Sequence, residues 1–172
     1  NDLPLAKIHP SGNIEVMNNN YKKRENAKAV ADTRFEERVA FQKIYPGSDP
    51  EILDYLAGKY RGIVLEGTGF GHVPTQARKS WIPAIKKVSA EIPVVVATQT
   101  IYGRVNANVY TNLRILFNET HAIPAEDMHP ETAFVKLGFV LGHTKKLEEV
   151  RKMMLTNLAG EISSRDLDAF LI

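Results

Sequence analysis

Apolar and polar positions alternate around a turn at the start of the chain, then settle into a strand–helix rhythm. Ala6-Lys7-Ile8 and Ile14-Glu15-Val16 flank Pro10-Ser11-Gly12-Asn13, the pattern of a β-hairpin. Residues 18–31 show little periodicity and read as a connector. Residues 39–45 read as a strand closed by Pro46-Gly47. Asp49-Pro50 then opens a helix, with Asp as N-cap and Pro at the first helical position. Its inner face is Ile52, Leu53 and Leu56, and Gly58 is expected to stop it. A second strand over 62–66 runs into Gly67-Thr68-Gly69-Phe70-Gly71-His72-Val73-Pro74. Trp81, Ala84, Ile85 and Val88 share one face at helical spacing, with Pro83 in a first turn that tolerates it. Residues 93–97 are an uninterrupted apolar run, as expected for a strand covered by helices on both faces.

The last third is mostly helical. The pattern predicts a helix over 110–118, a short strand at 122–123, and a nearly all-apolar, buried helix over 130–141 ended by Gly142. Thr144 is expected to cap a final helix that buries Leu147, Val150 and Met154. Residues 163–172 read as a tail or a partner-docking segment. Successive strand–helix units predict a right-handed parallel sheet. The expected fold is therefore α/β, a three-layer sandwich with a small parallel sheet of about four strands. The expected division is 1–33, hairpin and connector, and 34–172, the α/β domain.

At 172 residues the chain has room for one domain. Lys plus Arg number 22 and Asp plus Glu 20, so no concentrated basic stripe marks a duplex-DNA binder. The one dense basic cluster, Lys22-Lys23-Arg24, reads as a solvated connector or as an RNA contact. No apolar run approaches the ~18 residues that span a bilayer, so no membrane partner is expected. With no cysteine, disulfides, Cys-ligated zinc and a Cys nucleophile are excluded together. The chain starts at Asn1 with no Met and no signal core, which predicts a fragment or a processed chain.

Two loops carry candidate chemistry. Gly67-Thr68-Gly69-Phe70-Gly71 follows a strand, but its Gly-x-Gly-x-Gly spacing is not the Gly-x-Gly-x-x-Gly of dinucleotide sites. Its glycines either make a tight turn or let a ligand approach the backbone. Thr98-Gln99-Thr100-Ile101-Tyr102-Gly103-Arg104 leaves the next strand on the same edge, where ligands settle in open α/β sheets. Arg104 there either clamps a carboxylate or pairs with a neighbour. In Glu126-Asp127-Met128-His129-Pro130-Glu131, Asp127 and Glu131 fit the start of a helix, where negative charge is favoured. Acid/base or metal chemistry is the other reading, but His72, His121, His129 and His143 lack the spacing of a helical zinc site. Lys136, inside the apolar helix, either snorkels or pairs with a carboxylate such as Glu131. These residues contain no nucleophile–base pair and no metal set.

Residues 62–69 (Gly-Ile-Val-Leu-Glu-Gly-Thr-Gly), 123–128 (Ile-Pro-Ala-Glu-Asp-Met) and 130–133 (Pro-Glu-Thr-Ala) stand in register with Lys136-Leu137 and Leu141-Gly142-His143-Thr144. Together they resemble the C-terminal domain of the cytoplasmic, type I L-asparaginase family. Tyr102-Gly103-Arg104-Val105-Asn106, Asn108-Val109-Tyr110 and the leading hairpin with Tyr21 to Arg24 resemble the branch of that family formed by the D-type subunits of archaeal glutamyl-tRNA(Gln) amidotransferases.

The resemblance implies a cytoplasmic enzyme that hydrolyses glutamine and passes ammonia to a partner, the E-type subunit. That partner uses ATP and Mg²⁺ to amidate Glu-tRNA(Gln). No cofactor is expected on this domain. The family's nucleophilic threonine lies in an N-terminal Gly-Gly-Thr motif, and a second threonine precedes an Asp. This chain has no Gly-Gly and no Thr-Asp, so no catalytic residue carries over and the chain alone is expected to be inactive. The resemblance further implies that the domain completes a homodimer and closes over a neighbouring catalytic domain. Gly67, Thr68, Gly69, Thr98, Gln99, Tyr102, Gly103 and Arg104 are the expected edge. Thr100 stands where the family's Cys is expected; Leu113, His121 and Ala125 stand where glycines are common. The alternatives are the C-terminal domain of a free L-asparaginase and a non-enzymatic ligand or interaction module.

Overall fold

A computed structural model describes residues 4–19, 21, 23–26 and 28–163; Lys22 of the basic cluster and the expected tail at 164–172 lie outside them. Strands β1 (Ala6–Ile8) and β2 (Ile14–Val16) form the expected antiparallel hairpin, turned at Gly12, whose φ is +85°. All six strand residues are exposed.

The main sheet contains β3 (Val39–Lys43), β4 (Gly62–Gly67), β5 (Val94–Thr98) and β6 (Ile123–Pro124), all parallel and ordered β3-β4-β5-β6. Helices α1 (Ile52–Lys59), α2 (Ile82–Ser89) and α3 (Thr111–Glu119) make the three crossovers, followed by α4 (Pro130–His143) and α5 (Leu147–Met154). Strands laid down in sequential order by crossovers of one hand place every crossover helix on the same face. Accordingly Leu53, Ile85, Val88, Leu113 and Leu116 pack with Ile63, Leu65, Val94 and Val96 in one core. The alternate strand residues Val64, Val95 and Ala97 form the second core with Leu137, Val140 and Leu141 of α4 and Val150 and Met154 of α5. Every residue of β5 is buried, which accounts for its continuous apolar run.

Several element ends differ from the sequence pattern. Asp49 does not cap α1; its Oδ1 accepts the Glu51 N–H at 3.1 Å in an Asx turn, and the helix starts at Ile52. Gly58 and Gly142 lie inside α1 and α4 rather than ending them. Thr144 accepts the Lys146 N–H at 3.3 Å, so α5 begins after Lys146.

Gly142 is explained by the approach of residues 32–36, which carry the connector into β3. A Cβ there would lie 2.5 Å from the carbonyl carbon and oxygen of Arg34, and a Cβ on Gly138 would meet the Phe35 ring. The Glu36 N–H donates to the Gly138 carbonyl at 2.9 Å, and His143 Nε2 stands 2.8 Å from Asp32. This segment is thus seated in a glycine groove along α4. In a helix interior, alanine is favoured over glycine by about 1 kcal/mol. Gly142→Ala is nevertheless expected to destabilise the chain by about 1–3 kcal/mol, because backbone has to move. Urea unfolding reads the sign directly, and a stabilised variant would mean that the segment is not seated there.

Candidate functional site

The carboxyl ends of β4, β5 and β6 bring the two candidate loops together with the loop before α4. Residues 68–72 close into a tight turn. The Thr68 and His72 N–H groups exchange hydrogen bonds with each other's carbonyls at 2.9 and 2.8 Å, and the Gly71 N–H donates to the Thr68 carbonyl at 3.1 Å. Gly69 and Gly71 take φ of +52° and +95°, and a Cβ on Gly67 would sit 2.5 Å from the Gly71 carbonyl carbon. The glycines therefore serve turn geometry, and these amides are already engaged.

Thr98 ties this turn to the next loop. Its hydroxyl, fully buried, donates to the Gly69 carbonyl at 2.5 Å and accepts from the Thr100 hydroxyl at 2.7 Å and the Thr100 N–H at 3.0 Å. Gln99 is exposed beside it, and its N–H donates to the Gly67 carbonyl at 3.2 Å. Gly103, at φ +108°, passes under the Phe70 ring. That ring stacks on Tyr110 with centroids 6.2 Å apart, and His72 meets Tyr110 edge-on at 5.1 Å.

Arg104 points inward rather than toward solvent. Its Nη1 lies 3.3 Å from Glu126 Oε2, its Nη2 donates to the Ser163 carbonyl at 2.9 Å, and Asp127 Oδ1 is 3.9 Å away. Asp127 is buried and accepts the Ser163 N–H at 3.0 and 3.1 Å. Burial pushes its pKa up, but hydrogen bonding from Ser163 prevails and holds the carboxyl below its ordinary value. Asp127 thus fastens Ser163 rather than capping α4, whose N-cap is His129; Glu131 does sit in the first turn of α4. Glu126, at φ +57°, is the one non-glycine residue with positive φ among the described residues. Its carbonyl accepts the Val105 N–H at 2.9 Å. His129 Nε2 stands 3.0 Å from the Ile101 carbonyl and pins the second loop.

Around this knot lies an apolar rim, with Phe70 39% exposed, Tyr110 45%, Tyr102 and Val109 55%, and Ile101 65%. Sequence reading missed the roles of Glu126, His129 and Ser163. A glutamate gives no warning of left-handed backbone, and Ser163 is remote in sequence from its partners.

Lys136 lies away from this edge. Its Nζ meets Glu161 Oε1 at 2.5 Å and the Thr156 carbonyl at 2.6 Å, so its carboxylate partner is Glu161 and not Glu131. Burial pushes the ammonium below its ordinary pKa, opposed by Glu161. Burial raises the Glu161 carboxyl, but Lys136 and the Leu158 and Ala159 amides hold it down at about 2 against an ordinary 4.5. The stabilisation this carboxylate supplies is therefore complete above pH 4.5 and lost as pH falls through about 2. Urea unfolding across that window is expected to show a decline that Glu161→Gln flattens. Lys136→Met, which strands the carboxylate, is expected to cost about 3–5 kcal/mol at neutral pH.

Residues 38–154 match the family model for the glutaminase/asparaginase C-terminal domain. The chain is 53% identical over 165 residues to the D-type subunit of the glutamyl-tRNA(Gln) amidotransferase of Pyrococcus abyssi, covering 95% of this chain and 36% of the relative. The corresponding protein of Aeropyrum pernix is 45% identical, with 97% and 39% covered. The chain thus spans little more than a third of the curated relatives it matches, a C-terminal part of them. Among solved structures, the thermostable L-asparaginase from Thermococcus kodakarensis superposes with a TM-score of 0.82 at 34% identity, over 95% of this chain and 49% of that one.

Proposed function

The chain belongs to the glutaminase/asparaginase C-terminal domain family, and on that premise we propose that it is the C-terminal domain of the glutamine-hydrolysing subunit of a tRNA-dependent amidotransferase. The full enzyme converts Glu-tRNA(Gln) to Gln-tRNA(Gln) in the cytoplasm. This domain supports the active site and the assembly of the full-length homodimer, and the nucleophile belongs to a catalytic half outside this chain.

The carboxyl edge of the sheet carries this reading. The loops of the edge are tied together, with Thr98 joining the two loops and Arg104 joining the second loop to residues 126 and 163. Its apolar rim faces outward, as an interface core does. The Thr68, Thr98 and Thr100 hydroxyls bond to backbone carbonyls and to one another, an arrangement that braces a surface and activates no nucleophile. The exposed apolar side chains of the hairpin also suit a domain that packs against more of its own polypeptide. The 53% identity to the amidotransferase relative favours this branch over a free L-asparaginase, to which the likeness is 34%.

The E-type subunit of the amidotransferase is the partner in this reading, with ATP and Mg²⁺ used there. The Thr68, Gly71 and His72 amides of the glycine turn already bond within the turn, which gives no reason to place ATP there. Substitution of Thr98→Val, Gln99→Ala and Arg104→Met together in the full-length protein tests the role of the edge. Glutamine hydrolysis is expected to fall about tenfold or more through misplacement of the catalytic half, or the protein to fail to dimerise by light scattering. Unchanged hydrolysis and unchanged assembly would contradict the assignment.

A further inference from the structure

At the opposite end of the strands, where β5 and β6 begin, a cavity of about 430 Å³ opens between the ends of α2 and α3 and the start of α5. That volume lies within the ~300–1,000 Å³ of small-molecule sites. Phe117, Ile123 and Leu147 give it apolar walls. Its polar character is divided by sign. The carboxyl ends of α2 and α3, the negative poles of two helices, both reach it. The amino end of α5, a positive pole, reaches it from the other side, with Arg151 one turn further in.

Arg151 Nη1 donates to the Ala122 carbonyl at 3.1 Å, which holds the guanidinium against the edge of β6 and fixes its direction. Glu148 lines the same cavity three residues away on α5, yet among the described residues no ion pair joins the two. A simple anion would meet two negative helix ends and Glu148. A simple cation would meet Arg151. A ligand carrying both charges satisfies both sides.

We propose that this cavity binds a small zwitterion, an α-amino acid with an apolar side chain. The carboxylate lies at Arg151 and the start of α5, and the ammonium at Glu148 and the carbonyl ends of α2 and α3. The side chain rests on Phe117, Ile123 and Leu147. The site is at the far edge of the sheet from the glycine turn and the Thr98–Arg104 loop, and it stands independently of the proposed function.

Titration of the ¹⁵N-labelled 172-residue chain with L-leucine, 4-methylpentanoate and 3-methylbutylamine tests it. Leucine is expected to give saturable amide shifts at Ser89, His121, Glu148 and Arg151 with a Kd of about 1 mM or tighter. Each analogue, lacking one charge, is expected to bind about tenfold more weakly or worse. Glu148→Gln, at an exposed position that leaves the fold intact, is expected to weaken leucine by a similar factor, and Arg151→Lys to weaken it through loss of the planar fork. Absence of saturable shifts, equal binding of 4-methylpentanoate, or wild-type affinity in Glu148→Gln would each overturn the proposal.

Discussion

A parallel sheet exposes two apolar faces, and crossovers of a single hand cover only one of them when strands are added in order. The rest of this structure follows from that shortfall. The bare face of β3, β4 and β5 is closed by α4, with α5 packed beside it. A helix pressed between a sheet, another helix and residues 32–36 has little surface left for solvent, so α4 is apolar on most sides. Burying a leucine in such a place is worth about 1.5–3 kcal/mol, and α4 supplies Leu137 and Leu141 besides Val140. The buried charge in it, Lys136, is held by Glu161 and the Thr156 carbonyl, which draws the segment after α5 back over the helix. The same segment then reaches Arg104 and Asp127 through Ser163. Closing the second face thus also braces the carboxyl edge.

In the proposed assignment that edge is a surface rather than a reacting centre. Its left-handed Glu126 is a local cost of about 1–3 kcal/mol, offset by the hydrogen bond to Val105 and the contact with Arg104. Strain and internal pairing of this kind fix loop positions. Phe70, Ile101, Tyr102, Val109 and Tyr110 stay outward there, beside the exposed Gln99. A catalytic half docked there would find a preformed wall, consistent with a domain that contributes shape and support.

The strand–helix alternation, the hairpin and the two loops on one edge were all legible in the chain, because period and turn residues report local geometry. Helix ends were less legible. Gly58 and Gly142 look like stops, but Gly142 is present because the Arg34 backbone passes against α4, a contact that no local pattern encodes. Thr144 and Asp49 bind amides two residues on without starting a helix, since Asx and Ser/Thr turns compete with caps for the same side chains. Arg104 had two readings, carboxylate clamp or pairing with a neighbour, and the residues it meets at 126, 127 and 163 are brought to it by tertiary structure that no local pattern encodes. Glu161 as the partner of Lys136 depends on the path of the chain after α5, which is tertiary information.

In the proposed assignment these residues form a supporting domain whose reacting groups lie elsewhere in a longer polypeptide. Ammonia release from glutamine and from asparagine by the purified 172-residue chain tests it most directly. The expected result is release no faster than in buffer. Release above that background would mean that a nucleophile operates among these residues, and the assignment of the domain would be wrong.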